Sequence, residues 1–210
     1  DSEHLNKNIN WKRLHDFVRE GLKADKTGHD YEHTRRVVKI ALQIAEKTKG
    51  VDYDVLVAAA LLHDIAYRHG AIKNHHLVGA EEAIDILKSL KFPQTKIDKI
   101  KLAIEDHVGI IGEPIRKNNE LLVESKILRD ADNVDALGSI GVIRMIAFCT
   151  SHNYHYFRSK EDKFSESVYG ALKGLLIWPD KMLTAEGKNL ANSRIPAIKD
   201  FLSEIEKEYS

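Results

Sequence analysis

The most apolar stretch of the chain lies at residues 52–67 and has the sequence DYDVLVAAALLHDIAY. From Val55 to Leu62 every side chain is aliphatic, so a helix formed there has no polar face. Such a helix is typical of the centre of a bundle, where other helices cover all of its sides. The stretch ends in the pair His63-Asp64, which places two ionisable groups at the edge of that centre.

Apolar residues recur at helical spacing on both sides of this stretch, which indicates two amphipathic helices before it and two after it. The residues that define these four apolar faces are Trp11, Leu14, Phe17, Val18 and Leu22; Val37, Ile40, Ala41, Ile44 and Ala45; Ala80, Ala83, Ile84, Leu87 and Leu90; and Ile97, Ile100, Ile104 and Val108. Because no strand alternation, repeat or linker interrupts them, we predict an all-α fold, a single-domain helical bundle over residues 1–210.

A loop and a long helix are predicted next. Gly109–Asn119 contains two glycines and a proline, which is typical of a loop. Leu122–Phe148 is predicted to form one long helix. Within it we expect Gly138 and Gly141 to allow close approach of another helix rather than to break the helix.

The remainder of the chain is predicted to form an ordered excursion and two C-terminal helices. Ser151–Ser165 is polar and aromatic without a clear period, so it is predicted to be an excursion or lid. One helix is expected over Glu166–Trp178 and another after Thr184, which is a suitable N-cap. We expect Pro196 to kink or divide the last helix.

The composition excludes several classes of protein. Of the 210 residues, 43% are hydrophobic and 30% are charged, as in ordinary folded proteins. Lys+Arg and Asp+Glu both number 32, so we expect no stable binding of nucleic acid. No apolar stretch approaches the roughly 20 residues that span a bilayer. The single Cys149 cannot form an intramolecular disulfide and the N-terminal residues lack a secretory pattern, so we expect a cytoplasmic location.

Three His-Asp pairs occur, at His15-Asp16, His29-Asp30 and His63-Asp64. The first lies among polar neighbours in an amphipathic helix, which favours a solvated face. The second follows Gly28 and is typical of a turn and helix cap. Only the third places a carboxylate in a buried setting, where desolvation is costly unless another group compensates it. A divalent metal ion is the simplest compensation.

The other ligands must come from other helices, because adjacent helical residues point about 100° apart. His33 is in phase with the apolar face of its helix, and so is Asp132. Two imidazoles and two carboxylates suit Mn, Mg, Co, Ni or Fe better than they suit a thiolate-rich zinc site. We therefore predict that His33, His63, Asp64 and Asp132 hold one divalent ion.

The order of these residues, with Arg36-Val37 after His33 and Ala131 before Asp132, resembles the HD-domain superfamily of metal-dependent phosphohydrolases. The resemblance covers roughly residues 28–205, and it implies a core over about 28–148 with C-terminal helices 166–208 packed on it. The segment Asp130–Arg144 resembles a branch of small, single-domain bacterial and archaeal members that act on nucleoside triphosphates.

The sequence lacks motifs that are typical of other branches of the superfamily, which reduces the number of branches that it resembles. Hydrolases of the stringent-response alarmone carry an acidic pair shortly after the dyad, and similar 5′-nucleotidases carry a Glu three residues after its Asp. Here Ile65, Ala66, Tyr67 and Arg68 follow, and none is a carboxylate. The Gly-Tyr-Pro element of HD-GYP phosphodiesterases is also absent from the sequence.

Two further histidines are candidates for a second ion. In two-metal members of the superfamily, extra histidines between the dyad and the last Asp hold that ion. His76 resembles one such position and His107 resembles the other. The alternative is that both contact phosphate or complete hydrogen bonds in the core around a single metal ion. We expect His75 to be the exposed neighbour of His76.

Three basic residues are candidates for phosphate binding. Arg36 lies one turn after His33, so its guanidinium is expected to reach a phosphate at the metal, although a surface arginine is the alternative. Arg144 is expected to clamp phosphate or to pair with Asp135, and Lys73 is a further candidate. We expect Asp135 to be structural or to orient a metal-bound histidine.

The resemblance implies an enzyme that hydrolyses a phosphoester or phosphoanhydride bond of a nucleotide, for example a nucleoside triphosphate to monophosphate and pyrophosphate. In this hypothesis Asp64 accepts the proton of a metal-bound water, and Arg36 stabilises the developing charge. A nucleotide-binding sensor or scaffold and a purely structural bundle are the alternatives. The expected partner is a small nucleotide or phosphoester, and a homodimer is an open alternative to a monomer.

Overall fold

The computed structural model describes residues 3–70, 73–108, 110 and 116–209. The described part of the chain contains nine α-helices, two short 3₁₀ segments and no strand. The helices are α1 Trp11–Leu22, α2 Tyr31–Glu46, α3 Tyr53–Leu62, α4 His75–Ser89, α5 Gln94–Asp106, α6 Val123–Asp135, α7 Gly138–Ser151, α8 Val168–Gly174 and α9 Ala185–Glu208. The 3₁₀ segments are Ile65–His69 and Leu175–Lys181. The all-α prediction is confirmed.

Helix α3 lies at the centre of the bundle, as its sequence predicts. Residues Val55–Leu62 are all buried, and none is more than 3% exposed. Helices α2, α5 and α6 pack around α3, and α4 packs on α5. Because α3 is covered on all sides, the residues that follow its last turn are placed inside the protein.

Side-chain caps fix where several helices begin. Asp30 accepts the backbone N–H of His33 at 2.8 Å and so starts α2. Thr184 accepts the N–H of Gly187 at 3.0 Å and starts α9. Such caps satisfy N–H groups that have no partner within the helix. The predicted caps at Asp30 and Thr184 are therefore confirmed.

The prediction of one long helix over Leu122–Phe148 is wrong. The chain forms α6 and α7 instead, and their axes meet at 82°. Gly138 has φ +76°, a left-handed conformation that a residue with a β-carbon rarely adopts, and this turns the chain between the helices. A β-carbon on Gly141 would lie far inside van der Waals contact with the carbonyl oxygen of Ala136. The two glycines therefore make the break and allow the chain to fold back on itself.

The C-terminal region differs in detail from its prediction. The helix expected over Glu166–Trp178 is α8 followed by the 3₁₀ segment, and one isolated bridge joins His155 to Ser167. Helix α9 is not divided at Pro196, since it continues to Glu208. Of the predicted loop Gly109–Asn119, Gly109 and residues 111–115 lie outside the described residues.

No single helix in the described ranges has both the length and the apolar character to cross a membrane. Helices α6 and α7 meet those criteria only when taken together, across their 82° bend.

Gly141→Ala is expected to lower the free energy of unfolding by about 1–3 kcal/mol, because the new methyl group overlaps the Ala136 carbonyl. Urea unfolding followed by circular dichroism measures the change. Ser139→Ala, at an exposed position of the same helix, is the control and should change stability by less than about 0.5 kcal/mol. Equal stability of the two variants would contradict the close approach.

Candidate metal centre

The His-Asp pair lies at the carboxyl end of α3. His63 caps the helix, and its Nδ1 lies 2.9 Å from the carbonyl oxygen of Ala60, which has no partner in the next turn. Because a carbonyl only accepts hydrogen bonds, Nδ1 carries the proton and Nε2 points away from the helix. Asp64 follows and leads into the 3₁₀ segment, with its side chain 3% exposed.

His33 is oriented by a different partner. It lies in the first turn of α2, is fully buried, and its Nδ1 donates to Oδ2 of Asp135 at 2.8 Å. Its Nε2 lies 3.3 Å from Nε2 of His63. Both rings therefore direct the same atom to the same point, where α2, α3 and α6 meet.

The four predicted ligands converge on that point. Oδ2 of Asp64 lies 3.3 Å from Nε2 of His33 and 3.2 Å from Nε2 of His63. Oδ1 of Asp132 lies 3.4 Å and 3.9 Å from the same two nitrogens. Ligands about 2.1 Å from one ion are separated by about 3.0 Å in an octahedron and about 3.4 Å in a tetrahedron. The distances of 3.2–3.4 Å lie within that range, and the distance of 3.9 Å between His63 and Asp132 is longer.

The chemistry of the donors also fits a cation. With their Nδ1 protons engaged, His33 and His63 have only Nε2 left to take up a proton or a metal ion, next to the carboxylates of Asp64 and Asp132. Lone pairs and negative charges gathered this closely in a buried site repel one another unless a proton or a metal ion lies between them. The cluster is thus arranged to hold positive charge.

The pKa values of His63 and Asp64 also show that the cluster favours positive charge. Burial alone disfavours charge on His63, but the carboxylates of Asp64 and Asp132 raise its pKa to about 9. Burial likewise opposes charge on Asp64, and yet the imidazoles of His63 and His33 hold its pKa well below the usual range. Without metal, the site retains a proton on His63 beside these carboxylates, and a divalent ion binds by displacing that proton.

A second group of ligands adjoins the first. Oδ1 of Asp64 lies 3.6 Å from Nε2 of His75 and 3.9 Å from Nε2 of His107, and these two nitrogens are 3.1 Å apart. His107 repeats the arrangement of His63, since it caps α5 and its Nδ1 lies 2.6 Å from the carbonyl of Ile104. The three ligand atoms lie within 4.8 Å of one another, so Asp64 is shared by two candidate ion sites.

The structure differs from the sequence prediction in which histidine joins His107. His75, expected to be an exposed neighbour, has a side chain only 16% exposed and faces Asp64. The ring centroid of His75 is 5.1 Å from that of His107, whereas the ring of His76 is 6.5 Å away. Both residues lie in the first turn of α4, and the start of that helix decides which of them faces inward.

The three basic candidates occupy different places. Arg36 binds Asp135 through two nitrogens, at 2.8 and 3.0 Å. Arg144 also binds Asp135, at 3.0 Å, and its other terminal nitrogen lies 3.5 Å from Nε2 of His33. Lys73 is exposed and does not line the cavity described next. Of the three, only Arg144 faces the ligand cluster.

A cavity opens directly on the two ligand groups. Asp64, Asp132, His75 and His107 line it, together with Arg144. The lining also includes the apolar or aromatic residues Ile110, Ala136, Met145, Phe148 and Trp178. The cavity therefore combines candidate metal ligands with apolar surface that suits a flat apolar group.

Two residues of the cavity wall were missed by the sequence analysis. His29 stacks on Tyr67 with ring centroids 4.0 Å apart, and both rings line the cavity. Burial lowers the pKa of His29 to about 4, so this imidazole is neutral. His29 precedes Asp30, the cap of α2, so helical periodicity gave no signal for it.

A further carboxylate of α6, Asp130, has a structural role. Asp130 accepts the backbone N–H groups of Leu183 and Thr184 at 2.7–3.0 Å and the Thr184 hydroxyl at 2.7 Å. It therefore attaches the start of α9 to α6.

A family model described as the HD domain matches residues 30–137, just over half of the chain. The matched range includes every ligand of both candidate ion sites. In sequence, the chain is 24% identical over 202 residues to the YpgQ protein of Bacillus subtilis (strain 168), covering 94% of this chain and 92% of that protein.

Solved structures give the same overall arrangement. A Lactobacillus plantarum protein superposes with a TM-score of 0.76 at 20% identity, covering 94% of this chain and 95% of the other. YpgQ in complex with ADP gives 0.73 at 24% identity, covering 94% and 93%. An HD-superfamily hydrolase from Bacillus thuringiensis gives 0.70 at 26% identity, covering 94% and 95%.

His75→Ala is expected to reduce the number of bound Co²⁺ ions per chain from two to one, because it removes a ligand of the second group. His76→Ala is the matched control and should leave two. Equilibrium dialysis with metal analysis measures both. One ion in the unaltered protein, or equal losses in the two variants, would contradict the assignment of His75.

Proposed function

The chain belongs to the HD-domain family, and we propose that it is a metal-dependent phosphohydrolase that acts on nucleotides. His33, His63, Asp64 and Asp132 would hold the first divalent ion. The observation that carries the proposal is their convergence beside a cavity that Asp64 and Asp132 line together with apolar and aromatic residues.

The metal supplies a water of lowered pKa and polarises a phosphate oxygen when it is bound. With the first ion alone in place, Asp64 would accept the proton of that water on Oδ1, since Oδ2 faces the first ligand group and Oδ1 does not. Arg144 directs a terminal nitrogen toward the same point and stabilises negative charge that develops on the phosphate.

A second ion is part of the proposal. Asp64, His75 and His107 would hold it, with Asp64 shared between the two positions. Burial lowers the pKa of His107 to about 3, so its imidazole remains neutral and available as a ligand through the physiological range.

The apolar residues of the cavity support a nucleotide as the substrate. A nucleobase is a flat, largely apolar ring, and the aromatic rings of Phe148 and Trp178 line the cavity and suit it. The structure of YpgQ in complex with ADP supports the same class of ligand. In the favoured reaction water attacks the α-phosphorus, the bond to the β-phosphate oxygen breaks, and a nucleoside monophosphate and pyrophosphate are formed.

The proposal is tested by removing metal with a chelator and restoring Mn²⁺, Co²⁺, Ni²⁺, Fe²⁺ or Mg²⁺ in turn. Release of pyrophosphate and phosphate is then measured for the nucleoside triphosphates and for inorganic tripolyphosphate, which lacks base and sugar. We expect metal-dependent release with a higher kcat/KM for nucleotides. Tight nucleotide binding without any product under every metal would favour a sensor instead.

Asp64→Asn should abolish turnover and weaken metal binding, because it removes the charge shared by both ligand groups. Asp85→Asn, at an exposed position of α4, is the control and should retain both. Full turnover by a metal-depleted Asp64→Asn protein would contradict the proposed function.

A further inference from the structure

Asp135 is the most heavily bonded carboxylate near the candidate metal centre. Its side chain is completely buried, and Oδ2 accepts the Nδ1 proton of His33 at 2.8 Å. Arg36 binds both of its oxygens, with Nε 2.8 Å from Oδ1 and Nη2 3.0 Å from Oδ2. Arg144 adds a bond from Nη1 to Oδ2 at 3.0 Å. Three side chains thus donate four hydrogen bonds to this carboxylate and fix its orientation.

The two arginines differ in what else they face. Arg144 is bound through Nε to the carbonyl of Gly28 at 2.8 Å and lines the substrate cavity. Arg36 is absent from that lining and borders a separate surface cavity, which it shares with Asp30, Ile143 and Arg144. Arg144 therefore lines both cavities, whereas the guanidinium of Arg36 lies outside the substrate cavity.

This placement argues against the role that the sequence suggested for Arg36. Two donors of the Arg36 guanidinium are already used by the Asp135 carboxylate, and Arg36 does not line the cavity that Asp64 and Asp132 line. A planar guanidinium that binds both oxygens of a carboxylate fixes the orientation of the carboxylate as well as its charge.

We propose that Arg36 is a positioning residue for the metal centre: it holds Asp135 in the orientation that keeps the proton of His33 on Nδ1 and so presents the Nε2 lone pair to the ion. This inference rests on the proposed function, since it concerns the same ligand group. Partners that orient a metal-binding histidine in this way commonly alter metal affinity by about 10- to 100-fold when they are changed.

The experiment compares Arg36→Gln with Arg35→Gln. Arg35 is the adjacent arginine, is 58% exposed and pairs with Glu32, so it is a matched control for the loss of one positive charge on the same helix. The affinity for Co²⁺ alone is measured by calorimetry, and the visible absorption of the bound Co²⁺ reports its ligand geometry. Steady-state hydrolysis of a nucleoside triphosphate at saturating metal completes the comparison.

We expect Arg36→Gln to weaken Co²⁺ binding about 10-fold and to change its absorption, while Arg35→Gln changes neither. The KM for nucleotide at saturating metal should stay unchanged in Arg36→Gln, because Arg36 does not touch the substrate. Unchanged Co²⁺ affinity and spectrum, or a raised nucleotide KM with unchanged Co²⁺ binding, would overturn the inference.

Arg36→Lys keeps the charge but cannot bind both oxygens of Asp135 in one plane, and we expect a loss of Co²⁺ affinity of about 3-fold or more. This variant decides the question by the same titration if Arg36→Gln does not fold, and an affinity equal to that of Arg35→Gln would then overturn the inference. Absence of Co²⁺ binding by the unaltered protein would instead contradict the proposed function. If the unaltered protein hydrolyses no nucleotide, a loss of Co²⁺ affinity in Arg36→Gln but not in Arg35→Gln would still support the positioning role of Arg36.

Discussion

The structure depends on one electrostatic constraint, the burial of the Asp64 carboxylate at the end of an apolar helix. A charge in that position is tolerated only if positive charge and hydrogen-bond donors surround it. Asp64 has His33 and His63 on one oxygen and His75 and His107 on the other. The same arrangement that compensates the charge creates two adjacent groups of metal ligands.

The carboxyl ends of α3 and α5 orient two of these histidines. His63 and His107 each cap an inward-facing helix, and each donates Nδ1 to a carbonyl three residues earlier. A carbonyl at a helix end has no partner within the helix, so the ring completes the backbone hydrogen bonding and is oriented at the same time. The backbone and Asp135 thus decide which nitrogen of each histidine is free, and this determines what the site can bind.

Much of the fold and the first ligand group could be predicted from the sequence because their signals are periodic. The apolar run before His63 predicted the central helix, and the phase of His33 and Asp132 predicted that they face inward. The carboxylate of Asp135 was expected to orient a histidine, and its bond to His33 agrees with that expectation.

The rest depends on features that have no periodic signal. Gly138 breaks the predicted long helix through its backbone conformation, and glycine by itself does not reveal whether it marks a close approach or a turn. His75 and His76 are adjacent, so a shift of about 100° in where α4 begins exchanges their positions. The partner of Arg36 lies 99 positions away in sequence, and only the folded chain shows that this arginine binds a carboxylate rather than a phosphate.

We propose that four side chains, from α2, the carboxyl end of α3 and α6, share one cation. Diffraction from crystals grown with Co²⁺, recorded on both sides of the cobalt absorption edge, tests it most directly. The account predicts an anomalous peak about 2.1 Å from Nε2 of His33, Nε2 of His63 and one oxygen each of Asp64 and Asp132. The absence of a peak at this point in crystals that hold Co²⁺ at other positions would contradict it.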